Sequence, residues 1–205
     1  YTRDAGTVIV DGQEVHYKNL QEAEKAGIVF IHQELNVMFD LTVEENMFMG
    51  KEITKPFGIC DKKAMREQVK KVLNMLGVTI DPGKRMNELS IGQQQMIEIA
   101  KALMLDAKVI IMDEPTTALT QTETDVLFEV VNKLRKNGVS IVYISHRMEE
   151  IFQLCDRITV LRDGTYVDTR YIKDINMDDI VQMMIGRTIG ERFPKRDVQI
   201  GEEVF

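Results

Sequence analysis

An α/β fold, with a helical stretch set into it, is what this chain predicts. Three observations carry that reading. Apolar runs at residues 28–31, 109–112 and 141–144 have the length of buried strands, and helical patterns alternate with them. Between the first two runs, residues 33–106 show helical patterns and turns. Two acids stand directly after the second run and a histidine after the third, at strand ends, where open α/β sheets take ligands.

Residues 7–10 and 13–17 are β-rich, and Asp11-Gly12 between them is a strong hairpin signal. Residues 19–26 predict a short helix closed by Gly27, and residues 28–31 the first core strand. Thr42-Val43-Glu44-Glu45 has the capping-box pattern and opens a helix. Asp61 caps a longer one, in which Met65, Val69, Val72, Leu73 and Leu76 share a face and Gly77 ends the run. Asp81-Pro82-Gly83 reads as a turn. A third helix begins at Ser90, with Met96, Ala100, Leu103 and Met104 as its apolar side.

The core resumes with a buried strand at 109–112 and a helix at 121–136, with Val126, Leu127, Val130, Val131 and Leu134 inward. A second buried strand at 141–144, a helix at 147–154 and a third strand at 158–161 follow. Asp163-Gly164 turns the chain into Tyr166-Val167, and Asn176 caps a last helix to Ile185. The charged tail beyond Gly186 reads as a linker.

Composition narrows the class. Hydrophobic content of 44% and charged content of 29% are those of an ordinary globular protein, and 205 residues fit one domain or one built from two sub-domains. No apolar run approaches about 18 residues, and no secretory leader pattern opens the chain. A net charge of −7 argues against nucleic acid as a partner, because no basic surplus is present to neutralise phosphates. Cys60 and Cys155 lack metal-ligand spacing and read as reduced thiols of a cytosolic protein. The 13 methionines read as core filling. The chain opens on Tyr1 without an initiator methionine and closes on Glu203-Val204-Phe205, which reads as a piece of a longer polypeptide.

Four segments carry chemistry. Ser90-Ile91-Gly92-Gln93 starts a helix with a capping box. Gly92 in its first turn costs about 1 kcal/mol against alanine, which makes sense where a backbone or a phosphate must come close. The N–H groups and positive end of the dipole suit an anion there. Asp113-Glu114 puts two carboxylates at the edge of an apolar core, where they need a counter-charge. Mg²⁺ bridging ATP phosphates would supply it at Asp113, leaving Glu114 as general base for the attacking water. His146 ends the next core strand, and Gln33 holds the matching place after residues 28–31, so both fall on the same sheet edge. Thr117-Ala118-Leu119-Thr120 leads into a helix that Thr120 and Glu123 cap. His16 and His32 have no such support and are read as structural. No G-x-x-x-x-G-K-S/T loop occurs; Gly77 to Gly83-Lys84 has the wrong spacing and contains Asp81 and Pro82.

As an ordered set, Gln33, Leu89-Ser90-Ile91-Gly92-Gln93, Asp113-Glu114, Thr117–Thr120 and His146 resemble an ABC-transporter ATPase domain. The similarity covers nearly the whole chain and is strongest to the sugar importers of the ribose/galactose type, on Ile31-His32-Gln33-Glu34-Leu35, the segment from Leu89 to Leu103, and Pro115-Thr116-Thr117-Ala118-Leu119-Thr120. The resemblance implies an ABC-type α/β core of mostly parallel sheet with antiparallel hairpins and an inserted helical sub-domain. It implies the division 1–32 (hairpin and first strand), 33–106 (helical signature sub-domain), 107–186 (core with the acids and histidine) and 187–205 (linker to a following domain).

It also implies roles. Gln33 would sense Mg²⁺ and the membrane subunit. Ser90, Gly92 and Gln93 would complete, in trans, the ATP site of a facing domain, with Thr117 and Thr120 in the inter-domain loop. Asp113 would hold Mg²⁺, Glu114 would be the base, and His146 would contact the γ-phosphate. Implied partners are a second ATPase domain on the same polypeptide or a dimer mate, transmembrane permease subunits and, indirectly, a sugar-binding protein. The implied place is the cytoplasmic face of the membrane. Ile91 and Thr120 depart from the commoner glycine and aspartate of the family pattern. The base-stacking aromatic and the phosphate loop, which the family places earlier, are absent. The expectation is a chain truncated before that loop that alone neither binds ATP tightly nor turns it over. A soluble ABC ATPase and a non-catalytic ABC-like regulatory or interaction module remain open alternatives.

Overall fold

The computed structural model describes residues 5–186, which divide into two compact units with the boundary between His146 and Arg147. The tail expected as a linker, 187–205, lies outside the described residues.

In the first unit, β1 (Ile9–Val10) and β2 (Gln13–Glu14) form the expected hairpin. Asp11 at φ 51° and Gly12 at φ 78° both take the left-handed conformation that a tight two-residue turn demands. α1 (Leu20–Lys25) begins where the Asn19 side chain accepts the Glu22 N–H. Three parallel strands follow in chain order across one sheet: β3 (Ile28–Ile31), β4 (Val109–Asp113) and β5 (Ser140–Ile144). Their register pairs Ile31 with Met112, Met112 with Tyr143, and Asp113 with Ile144. All three strands therefore end on one rim.

α4 (Ile91–Met104) packs on β3, and α5 (Gln121–Lys136) packs on β5. Val29, Ile31, Ile110 and Met112 are buried on one face of the sheet. β5 corrects the expectation of a buried strand. It lies at the sheet's edge, and Val142 and Ile144 are 47% and 43% exposed. An apolar run alone does not distinguish a strand covered on both faces from one covered on a single face.

Between β3 and β4, α2 (Val43–Phe48), α3 (Lys62–Leu76) and α4 pack on one another. Thr42 and Glu45 form the predicted capping box, and α3 buries the five residues its periodicity picks out before Gly77 ends it at φ 78°. Glu44 on α2, itself buried, takes a bidentate ion pair from Arg66 on α3, at 2.7 and 2.9 Å. α4 departs from a single stripe. It touches α2, α3, α5 and β3, so Gln94, Gln95, Ile97, Ile99 and Ala102 are buried together with Met96 and Ala100, while Leu103 and Met104 are half-buried. On α5, Thr124 and Phe128 join the buried face and Val126 is 40% exposed.

The second unit contains α6 (Met148–Leu154), β6 (Arg157–Arg162), β7 (Thr165–Tyr171) and α7 (Met177–Ile185). β6, expected as a third core strand, pairs antiparallel with β7 in its own two-stranded sheet, joined at Asp163-Gly164. α7 opens with a capping box between Asn176 and Asp179. Among the described residues no helix is long and apolar enough to cross a membrane.

Candidate active site

The rim where β3, β4 and β5 end holds the first group of candidates. Asp113 is the last residue of β4 and is half-buried; its carboxylate makes no hydrogen bond or ion pair among the described residues. Glu114 takes a positive φ of 48°, a conformation that is strained for a residue with a side chain. The strain is held by the Glu114 N–H, which donates to the Ile144 carbonyl of β5 at 2.9 Å, and by Thr117 N–H, which donates to the Glu114 carbonyl.

This turn carries the Glu114 carboxylate to His146 just past β5, with Oε1 2.7 Å from Nδ1. Thr117 Oγ1 donates to Oε2 at 3.1 Å. The imidazole contact, and then the Thr117 hydroxyl, hold the Glu114 carboxyl below its usual range, outweighing the opposing effect of burial. A carboxylate only accepts, so Nδ1 must carry the hydrogen of this contact, and Nε2 is left as the free ring position. Glu114 is largely covered, with 19% of its side chain exposed, whereas His146 is 69% exposed.

Gln33 falls two residues beyond Ile31, level with Glu114 two beyond Met112. It is exposed, and its carboxamide reaches neither acid by a hydrogen bond. The structure thus joins Glu114, His146 and Thr117 directly and sets Asp113 and Gln33 on the same rim without contact.

The second group stands at the start of α4. Ser90 Oγ accepts the Gln93 N–H at 3.2 Å, and Gln93 Oε1 accepts the Ser90 N–H at 3.1 Å. Gln94, buried behind them, donates from Nε2 to the carbonyls of Met86 and Leu89 at 3.0 and 3.1 Å, which fixes the chain entering Ser90. Sequence reading passed over Gln94, because a glutamine in a run of three carries no burial signal.

Gly92 is explained differently from the expectation. What comes close is a side chain: a Cβ built on Gly92 would fall on the carboxyl group of Glu123. Glu123 was read only as half of the Thr120 capping box, and it fills that role, with Oε2 accepting from Thr120 N and Oγ1 at 3.0 Å each. Its other oxygen accepts from Ser90 Oγ at 2.8 Å. The Thr120 N–H, then the Ser90 hydroxyl and other donors including the Gly92 N–H, hold the Glu123 carboxyl below its usual range. Thr120, on the loop that follows Glu114, is therefore linked to Ser90 through one carboxylate.

Comparisons with known proteins bear on the family of this chain. The family profile described as ABC transporter matches residues 1–117. The chain is 56% identical to the Ribose import ATP-binding protein RbsA of Geobacillus kaustophilus, over 99% of this chain and 41% of that protein. To the protein of the same name from Bacillus subtilis it is 52% identical, over 98% of this chain and 41% of that protein. The chain thus spans about two fifths of the length of these relatives. Among solved structures, the ADP conformation of MJ1267, an ATP-binding cassette of an ABC transporter, superposes with a TM-score of 0.76 at 26% identity, over 91% of this chain and 79% of that one. The profile runs over more than half of the 205 residues and takes in Gln33, the Ser90–Gln93 helix start and both acids, and so the chain belongs to the ABC transporter family.

Proposed function

We propose that this chain is part of the ATP-binding, ATP-hydrolysing subunit that energises a ribose importer. The observation that carries the reading is the Glu114–His146 pair, 2.7 Å apart on the rim where three parallel strands end. The relatives named for ribose import support the sugar class.

Mg²⁺ fits the donor set as a cation shared with nucleotide phosphates. Among the described residues no cluster of three or more His, Cys, Asp or Glu could form a self-contained cage. One carboxylate without partners, Asp113, suits a hard cation that takes its other ligands from phosphates and water, with the Gln33 carboxamide as a second protein donor. When bound, Mg²⁺ would neutralise phosphate charge. Glu114, kept ionised, accepts a proton from the attacking water at its carboxylate. His146 holds that carboxylate through Nδ1–H, which leaves Nε2 to contact the γ-phosphate. Ser90, Gly92 and Gln93 serve, in trans, the nucleotide of a facing ATPase domain, with Thr117 and Thr120 in the loop between the domains. Residues 33–106 form the sub-domain that meets the permease subunits. The subunit works at the cytoplasmic face of the membrane and serves a sugar-binding protein indirectly.

The test is turnover by the intact subunit with its permease. Glu114→Gln is expected to cut ATP hydrolysis by about 10²- to 10⁴-fold, the usual worth of a general base, while ATP binding persists. Turnover within a few-fold of the parent would defeat the reading.

A further inference from the structure

We propose that Glu123 is a positioning residue that occupies the start of α4 as an internal anion and must leave Ser90 before a nucleotide phosphate can take its place. This rests on the reading of Ser90 and Gly92 as phosphate ligands. One Glu123 oxygen accepts from Ser90 Oγ at 2.8 Å, and the carboxyl lies over Gly92, where a Cβ would strike it. The carboxylate therefore holds the hydroxyl that a phosphate would need, at the positive end of a helix of 14 residues. Its second oxygen is tied to Thr120 N and Oγ1 at 3.0 Å, on the loop that begins at Glu114 and Thr117. Glu123 is half-buried, and its outward rotation about its own side-chain bonds would leave Ser90 still fixed by Gln93. Competition follows: any phosphate bound at Ser90 displaces one charge-assisted hydrogen bond. The same carboxylate keeps its other oxygen on Thr120, so occupancy at α4 is felt where the loop that follows Glu114 enters α5.

The experiment measures ATP dependence in the intact transporter for the parent, Glu123→Gln, Ser90→Ala and the double variant. Glu123→Gln is expected to lower KM for ATP by about three- to tenfold, the scale of one such bond. In the Ser90→Ala background the same substitution leaves KM unmoved. A purely structural cap would raise KM or leave it alone, and a shift that persists without Ser90 overturns the proposal. Carbon NMR of the Glu123 carboxyl in the 205-residue chain provides the readout independent of activity. Its midpoint should lie below the ordinary glutamate range and rise in Ser90→Ala; a midpoint indifferent to Ser90 overturns the proposal. Absence of turnover in the parent transporter would instead defeat the ATPase reading, and the competition with it.

Discussion

Replacing Gln94 with leucine preserves the side chain's approximate volume but removes both donors to the carbonyls of Met86 and Leu89. Met86, Leu89 and Gln94 are buried, at 0%, 6% and 6% exposure, so water does not readily replace the lost donors. Each carbonyl left unsatisfied costs about 1–3 kcal/mol. The Met86 carbonyl keeps the Leu89 N–H at 3.2 Å, so its share falls at the low end. Leucine returns part of the loss by burying more apolar surface. The net expectation is about 2 kcal/mol of destabilisation, which for a chain of this length lowers Tm by about 4–8 °C. Urea unfolding of the 205-residue chain gives the free energy, and a thermal scan gives Tm. The same change loosens the approach to Ser90, so ATP turnover in the intact transporter should fall as well. A loss below about 0.5 kcal/mol, within the usual range for surface changes, would refute the claim that Gln94 fixes the signature entry.

Other consequences are open to direct measurement. His146→Ala removes the main cause of the depressed Glu114 pKa, so the Glu114 carboxyl should titrate closer to its ordinary value by carbon NMR. Because that pKa is lowered in the folded state, the contact's stabilisation is present at neutral pH and lost as pH falls through the depressed midpoint; parent and variant should converge in stability in strong acid. Glu98 shows the opposite sign: burial raises its pKa against the pull of Lys101 and His32, so its charged form is the disfavoured one. Glu98→Gln should raise Tm by about 1–3 °C at pH 7, the gain vanishing below the unfolded-state glutamate pKa; an equal gain at pH 3 would contradict the burial argument. The 205-residue chain contains no G-x-x-x-x-G-K-S/T loop. Calorimetry should therefore detect no micromolar ATP affinity in it, and tight binding would show that the rim and α4 suffice.

Local signals were legible because their chemistry is local. Thr42, Asp61, Ser90, Thr120 and Asn176 all cap the helices assigned to them, since a capping side chain bonds within three residues of itself. The five buried positions of α3 followed from a helix with a single packed face. The strand ends of the site were legible for the same reason: an apolar run stops where the acids and the histidine begin. What escaped depends on partners distant in sequence. Val142 and Ile144 are apolar yet exposed, because they lie on the face opposite Ile110 and Met112, and an apolar run does not reveal which faces its neighbours cover. α4 buries Gln94 and Gln95, because it is enclosed by four other elements. The hairpin expected at Asp163-Gly164 is present, but β6, expected in the core on its apolarity, pairs among the described residues with β7 alone. The Glu123 contact with Ser90 spans 33 residues, and Gly92 was the sole sequence trace of it, legible as a close approach but not as whose.

The chemistry proposed for the rim requires Glu114 and His146 to act as one unit. A double-mutant cycle on ATP turnover by the intact subunit, with Glu114→Gln, His146→Ala and both together, tests this most directly. Each single change is expected to cost about 10²-fold or more, and the double variant to be scarcely slower than the worse single, because the imidazole acts through the carboxylate. Losses that multiply would contradict it, placing the two side chains in separate roles despite their 2.7 Å contact.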